Sequence, residues 1–209
     1  MTTSRTDFNQ SWLTEMPKRN NIGDMYPIIS QNVKELLSSG IHPKKLSKDL
    51  FKIELESTIY YWYGTETHIV LAIEFSKKPQ NLLVNIVGKD PNYSGHPPYA
   101  SNLYNAVLKD THYPVCIISD DQLSDEGFAI WKSLFNQGHY VSVYDIHSPG
   151  QSRVTFKNAD EMNQYFGNEV SFKNYRFVLS ESLPAKLGEM IAFFNTRRMR
   201  ELSGLDTED

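Results

Sequence analysis

Residues 81–109 read NLLVNIVGKDPNYSGHPPYASNLYNAVLK, and this stretch decides the fold class. Asn81–Val87 is apolar except for Asn81 and Asn85, which predicts a strand. Gly88–Pro98 is rich in Gly, Pro, Asn and Ser, which predicts a loop. Tyr99–Lys109 follows as a helix, with Tyr99, Leu103, Ala106 and Val107 on one face. The pattern then repeats. Pro114–Ser119 is a short buried strand, Ser124–Asn136 a helix with Phe128, Trp131 and Phe135 on one face, and His139–Asp145 another strand. Strands separated by helices favour parallel neighbours, so those at Leu82, Val115 and Val141 are expected side by side and parallel.

Upstream the character differs. Ile29, Val33, Leu36 and Leu37 fall at helical spacing, predicting a helix from about Met25 to Ser39, with Asp24 as a candidate cap and Gly40 after its end. Phe51, Ile53 and Leu55 alternate with Lys52, Glu54 and Glu56, the period of a half-buried strand. Thr58–Tyr63 and Ile69–Phe75 are two more strands, joined by the turn Gly64–Thr67. The short connections, including the turn Lys77–Gln80, suit antiparallel hairpins. Downstream, Asn158–Phe166 reads as a short helix and Tyr175–Leu179 as a strand. Ser182 and Pro184 open a last helix with Leu187, Met190, Ile191 and Phe194 on its core face. The whole is α/β with a mixed sheet: an antiparallel meander, then strand–helix–strand–helix–strand, then a C-terminal helix. The expected organisation is an arm at 1–20, one domain over 21–203 and an acidic tail at 204–209.

A chain of 209 residues has room for one sizeable core. Lys and Arg total 21 against 25 Asp and Glu, so the formal charge is −4 and supplies no global attraction for nucleic acid or an anionic membrane. Cys116 is the single cysteine, which rules out an internal disulfide; inside the apolar run Val115–Ile118 it reads as a small buried hydrophobe. No apolar run approaches a membrane span, and Met1–Gln10 lacks the apolar stretch of a secretory signal, so the expected location is the cytoplasm of the producing or host cell. Asp120, Asp121, Asp125 and Glu126 match no metal-loop spacing, and no metal site is expected.

From Asp24 to Glu181 this order of elements resembles the GNAT superfamily of acyl-CoA-dependent N-acyltransferases. The likeness is densest from Val87 through the loop to Leu103-Tyr104, where the family has a strand, a P-x-Y-R-G-x-G-x-G/A loop and a helix. Ile117-Ile118-Ser119-Asp120 and the helix Phe128–Leu134 support it. The Ser-Asp pair and Trp131 look most like divergent members carried by phages and mobile elements. The resemblance implies acetyl-CoA or another acyl-CoA as cofactor and an amine as acceptor. It implies that Gly95, His96, Tyr99, Ala100 and Ser101 hold the CoA pyrophosphate at a helix N-terminus, where unpaired N–H groups favour anions. It implies that the edge at Val87 and Gly88 pairs with the pantetheine arm. Two features depart from the pattern. Pro98 stands where a loop glycine is expected, after Pro97, and Ser94 replaces the basic residue. Trp131 stands where many members place a tyrosine acid, and an indole N–H cannot serve as one.

Acyl transfer needs a base for the ammonium. Asp120, with Ser119, ends a strand where ligands collect in α/β sheets. Asp120 either meets the amine or, with Asp121, hydrogen-bonds the loop before the next helix. Glu74 interrupts the apolar run Ile69–Phe75, and either faces solvent by alternation or marks a site. Asn85 cannot be a base but could order a water. Tyr60–Tyr63 reads as strand with one face in the core, or as a stacking surface. Arg197, Arg198 and Arg200 complement a helix dipole or grip phosphate. Two functions follow: an N-acyltransferase, or a catalytically inactive protein of the same fold that acts through a protein partner.

Overall fold

The structure is a computed structural model that describes residues 22–79, 81–110, 116–120, 123–147, 154–167 and 170–180. The expected arm, Asp121, the last helix, the arginines at 197–200 and the acidic tail lie outside the described residues.

Helix α1 spans Ile22–Ser38. It starts three residues before the expected Met25, so Asp24 lies in its first turn instead of capping it. Its apolar face buries Ile29 and Val33. It closes on Gly40 at φ 82°, with Gly40 N–H donating to Leu37 O and Ile41 N–H to Leu36 O. Those two bonds satisfy the last carbonyls of the helix through a glycine in the left-handed region.

Nine strands form one mixed sheet: β1 (Lys44–Lys45), β2 (Leu50–Glu54), β3 (Thr58–Gly64), β4 (Ile69–Lys78), β5 (Asn81–Lys89), β6 (Cys116–Ile118), β7 (Tyr140–Asp145), β8 (Val154–Thr155) and β9 (Tyr175–Ser180). Helix α2 (Ala100–Leu108) follows β5, and α3 (Asp125–Asn136) follows β6. The spatial order is β1-β2-β3-β4-β5-β6-β9-β7-β8. The antiparallel meander holds from β1 to β5. The β5–β6 pair is parallel, as expected, but β6 and β7 are not neighbours. β9 lies between them, antiparallel to both. In that slot both edges of β9 are hydrogen-bonded, and Phe177, Val178 and Leu179 are all at most 1% exposed. The short helix expected over Asn158–Phe166 is a 3₁₀ turn at Glu161–Tyr165.

The sheet has helices on both faces, and alternation sorts the side chains between them. On one face α1 packs Ile29 and Val33 against Phe51, Ile53, Tyr60, Trp62, Ile69 and Ala72. On the other, α2 and α3 bury Leu103, Tyr104, Val107, Trp131 and Leu134 against Ile59, Tyr61, Leu71, Ile73, Phe75 and Ile117. The aromatic run in β3 is therefore split between two cores, where one buried face was expected. Cys116 is buried, as its apolar neighbours indicated.

Lys52 departs from the alternation of β2: it is 3% exposed. Its ammonium sits 2.7 Å from Asp110 Oδ2 and 3.1 Å from Glu54 Oε2, and Tyr61 donates to the same Asp110 oxygen at 2.7 Å. Burial of a lysine is tolerable when it is paired in this way.

Candidate functional site

A cleft of about 820 Å³ opens where α2 begins. The end of β5, the following loop, the first turn of α1 and the exposed side of α3 line it. Each wall has a local cause. Gly88 lets α1 approach β5: a Cβ there would stand 2.6 Å from Ile29 Cγ2 and 2.8 Å from Tyr26 Cα. Glu126, in the first turn of α3, accepts the N–H of Ile22 at 3.0 Å and ties the start of α1 to α3. Asp90 Oδ1 accepts Asn92 N–H at 2.9 Å and starts the 3₁₀ turn Pro91–Tyr93. Ser124 caps α3 by accepting Gly127 N–H at 3.0 Å.

α2 starts after Tyr99, whose N–H donates to Asn102 Oδ1 at 3.2 Å. The first N–H groups of a helix have no acceptor within it, and Ala100 and Ser101, the first two residues of α2, both line the cleft. Ser101 Oγ accepts from Gln137 Nε2, which also donates to Ser133 Oγ, while Gln137 Oε1 accepts from Asn105 Nδ2. This amide joins α2 to α3 and makes the cleft floor polar.

Lys89 is the single cation among the described residues that line the cleft; Asp24, Asp90 and Glu126 are its carboxylates. Lys89 is 7% exposed. Its ammonium donates to His96 O and lies 5.3 Å from the centre of the Tyr99 ring. Burial holds its pKa below the ordinary lysine value.

The pairing of β5 governs access to this cleft. β6 pairs with Leu82 and Leu83 alone; from Val84 to Lys89 the described ladder of β5 is with β4 only. Among the described residues, that leaves a run of backbone on one side of β5 with no strand partner, leading to the start of α2. The run contains a bulge: Glu74 opposes Ile86 and Phe75 opposes Val84, so Asn85 is the extra residue. Glu74 fixes it. Its Oε1 accepts Asn85 Nδ2 at 2.9 Å and its Oε2 accepts Asn32 Nδ2 of α1 at 3.3 Å. Ser76 donates to Asn85 Oδ1 at 2.9 Å. Tyr60 is directly across the ladder, and burial with the Glu74 charge pushes its hydroxyl up to about 12.

The seven expected cofactor residues divide. Gly95, Tyr99, Ala100 and Ser101 line the cleft. Val87 and Gly88 lie in β5 behind it, and His96 contributes its carbonyl to Lys89. The three expected catalytic residues are not brought together. Ser119 is buried and extends the β6–β9 ladder: its hydroxyl accepts Phe177 N–H at 3.0 Å, and its own N–H donates to Phe177 O at 2.9 Å. Asp120 is half-buried beyond it, and its charge adds to burial in raising the Tyr104 hydroxyl. Glu74 sits across the sheet, under α1. Trp131 is core, 1% exposed and edge-on to Tyr104 with centroids 5.7 Å apart. Sequence reasoning missed Lys89, because the family pattern puts its basic residue inside the loop and this one ends the strand before it. It also missed Gln137; no local signal marks a surface glutamine as a helix-to-helix bridge.

No family model, curated protein or solved structure matches the chain. No helix among the described residues is long and apolar enough to cross a membrane, and they contain no cluster of His, Cys, Asp and Glu suited to a metal ion.

Proposed function

We propose that this chain is a divergent GNAT-type protein that binds an acyl-CoA in the α2 cleft and transfers the acyl group to an amine of a protein or small molecule. One observation carries the reading. β5 parts from β6 after two paired residues, and among the described residues its backbone from Val84 to Lys89 pairs with β4 alone as it runs to a cleft at the N-terminus of α2. A pantetheine arm has amides that can pair with such an edge like an added strand. The phosphates would meet Ala100 and Ser101 N–H, with the Lys89 ammonium in place of the absent loop cation. The cleft volume of about 820 Å³ falls in the range of roughly 300–1,000 Å³ usual for small-molecule sites. In the reaction the neutral amine attacks the thioester carbon, the C–N bond forms, the C–S bond breaks and the thiolate leaves with a proton. Asp120, half-buried at the end of β6, is the carboxylate proposed to take the ammonium proton.

A second reading has its own observation. Three carboxylates share the cleft with one ammonium, Pro98 offers no N–H, and Trp131 is locked in the core where an acid is needed. These favour a catalytically inactive protein of phage or mobile-element type that binds a protein partner. Thiol release from acetyl-CoA, measured with polyamines, amino acids and lysine peptides as acceptors, separates the two. Acceptor-dependent release that falls in Asp120→Asn, with the melting temperature unchanged, supports the transferase. Absence of release with every acceptor supports the inactive protein.

A further inference from the structure

The cleft is polarised along α3. Glu126 stands in the first turn of that helix and Ser133 near its end, roughly 10 Å further along the axis at about 1.5 Å per residue. The Glu126 end is acidic and is tied to the start of α1, where Asp24 lies. The other end is lined by Ser101, Ser133 and Gln137.

Gln137 organises that second end. Its backbone caps α3, the N–H donating to Ser133 O at 3.0 Å. Its side-chain amide is held at both atoms. Oε1 accepts Asn105 Nδ2 at 2.9 Å, so Nε2 faces the serines and donates to Ser101 Oγ at 3.2 Å and to Ser133 Oγ at 3.1 Å. A hydroxyl accepts and donates at once. Here one amide takes the accepting side of both, and among the described residues neither hydroxyl donates to a protein acceptor. Ser133 does not turn back on its own helix, as Ser38 and Ser39 do by donating to Lys34 O and Glu35 O. Ser101 is only 7% exposed, so an acceptor for its hydrogen has to come from the cleft it lines.

We propose that Ser101 and Ser133 form a pair of hydroxyl donors to a phosphate oxygen of the cleft ligand, and that Gln137 is the residue that positions them. The proposal rests on the acyl-CoA reading of the cleft and adds to it two side chains of α3. Neutral donors suit this end. Hydrogen bonds to a charged oxygen are stronger than those between neutral groups, so two hydroxyls hold an anion without a second lysine. The anion also stays away from Glu126 at the far end of α3.

The test is a calorimetric titration of the full chain with CoA, with inorganic pyrophosphate and with pantetheine, which carries no phosphate. Ser133→Ala should weaken CoA and pyrophosphate about five- to ten-fold and leave any binding of pantetheine and the melting temperature unchanged. Ser133→Thr, which keeps the hydroxyl, should restore binding. Gln137→Ala should weaken both phosphate ligands about three-fold or more, yet add nothing once Ser101 and Ser133 are both alanine, because it acts through them. An effect of Gln137→Ala that persists in that background would overturn the positioning role. CoA bound equally by wild type and Ser133→Ala would overturn the hydroxyl pair and leave the acyl-CoA reading standing. Pyrophosphate binding that Ser133→Ala weakens, with no binding of CoA, would support the pair and overturn the acyl-CoA reading. Wild-type protein that binds neither would overturn both.

Discussion

Lys89 and Glu74 are both buried charged residues of the sheet, and they do different work. Lys89 is held by one carbonyl and one ring, which leaves its remaining donors for a ligand. Glu74 accepts from Asn85 on one oxygen and from Asn32 on the other, and so holds the β5 bulge and α1 in register. Lys89→Met should therefore reduce CoA affinity about ten-fold or more while leaving the melting temperature nearly unchanged, by calorimetry and thermal denaturation. Glu74→Gln should cost about 1–3 kcal/mol in urea unfolding, because an amide turns an N–H₂ group towards a donor. Ser119→Ala should cost about 1–2 kcal/mol through the lost bond to Phe177 N–H and leave ligand binding unchanged. Loss of binding without loss of stability would instead place Ser119 in the site. At this scale the sequence was partly legible. Gly95, Tyr99, Ala100 and Ser101, singled out by the family resemblance, line one cleft because the loop and the start of α2 that carry them are adjacent in sequence. The burial of Lys52 was not legible because it depends on Asp110, 58 positions away, and alternation cannot see a partner at that distance.

At the scale of elements, the sheet is organised by what α1 and β9 do to it. α1 lies on β5 because Gly88 has no side chain. Gly88→Val should push α1 away, costing roughly 1–3 kcal/mol or more and loosening the cleft mouth that Ile22 and Glu126 close. Hydrogen exchange across α1 would report it: protection lost in α1 but kept in β3 and β4 is expected, and unchanged protection in α1 would refute the packing argument. The meander, the three described helices and the parallel β5–β6 step were all visible in hydrophobic period and connection length. The position of β9 was not, since periodicity assigns a strand its faces and says nothing of its neighbours. Nor was the bulge at Asn85, where one extra residue leaves the apolar pattern intact.

For the whole molecule, the buried tyrosines and the surface ion pairs set opposite limits with pH. Burial raises Tyr60, Tyr61 and Tyr104 above 10.0, Tyr60 to about 12. Their neutral forms are favoured in the folded chain, so that contribution is complete below pH 10.0 and is lost as pH rises through the folded values. For Glu54, burial acts upward, but hydrogen bonds from Lys77 and Lys52 outweigh it and lower the pKa below 4.5. That contribution is present above pH 4.5 and disappears as pH falls through the folded value. Chemical denaturation across pH should therefore show stability declining from pH 10 towards 12, and a smaller decline below pH 4.5 that Glu54→Gln removes. A flat alkaline limb would contradict the tyrosine assignment.

The central claim is that β5, α2 and Lys89 together make an acyl-CoA site, and a calorimetric titration of the full chain with acetyl-CoA and with CoA tests it most directly. Saturable binding by both, weakened in Lys89→Met, is the predicted result. No heat of binding at millimolar ligand would contradict it and leave the cleft to a protein partner.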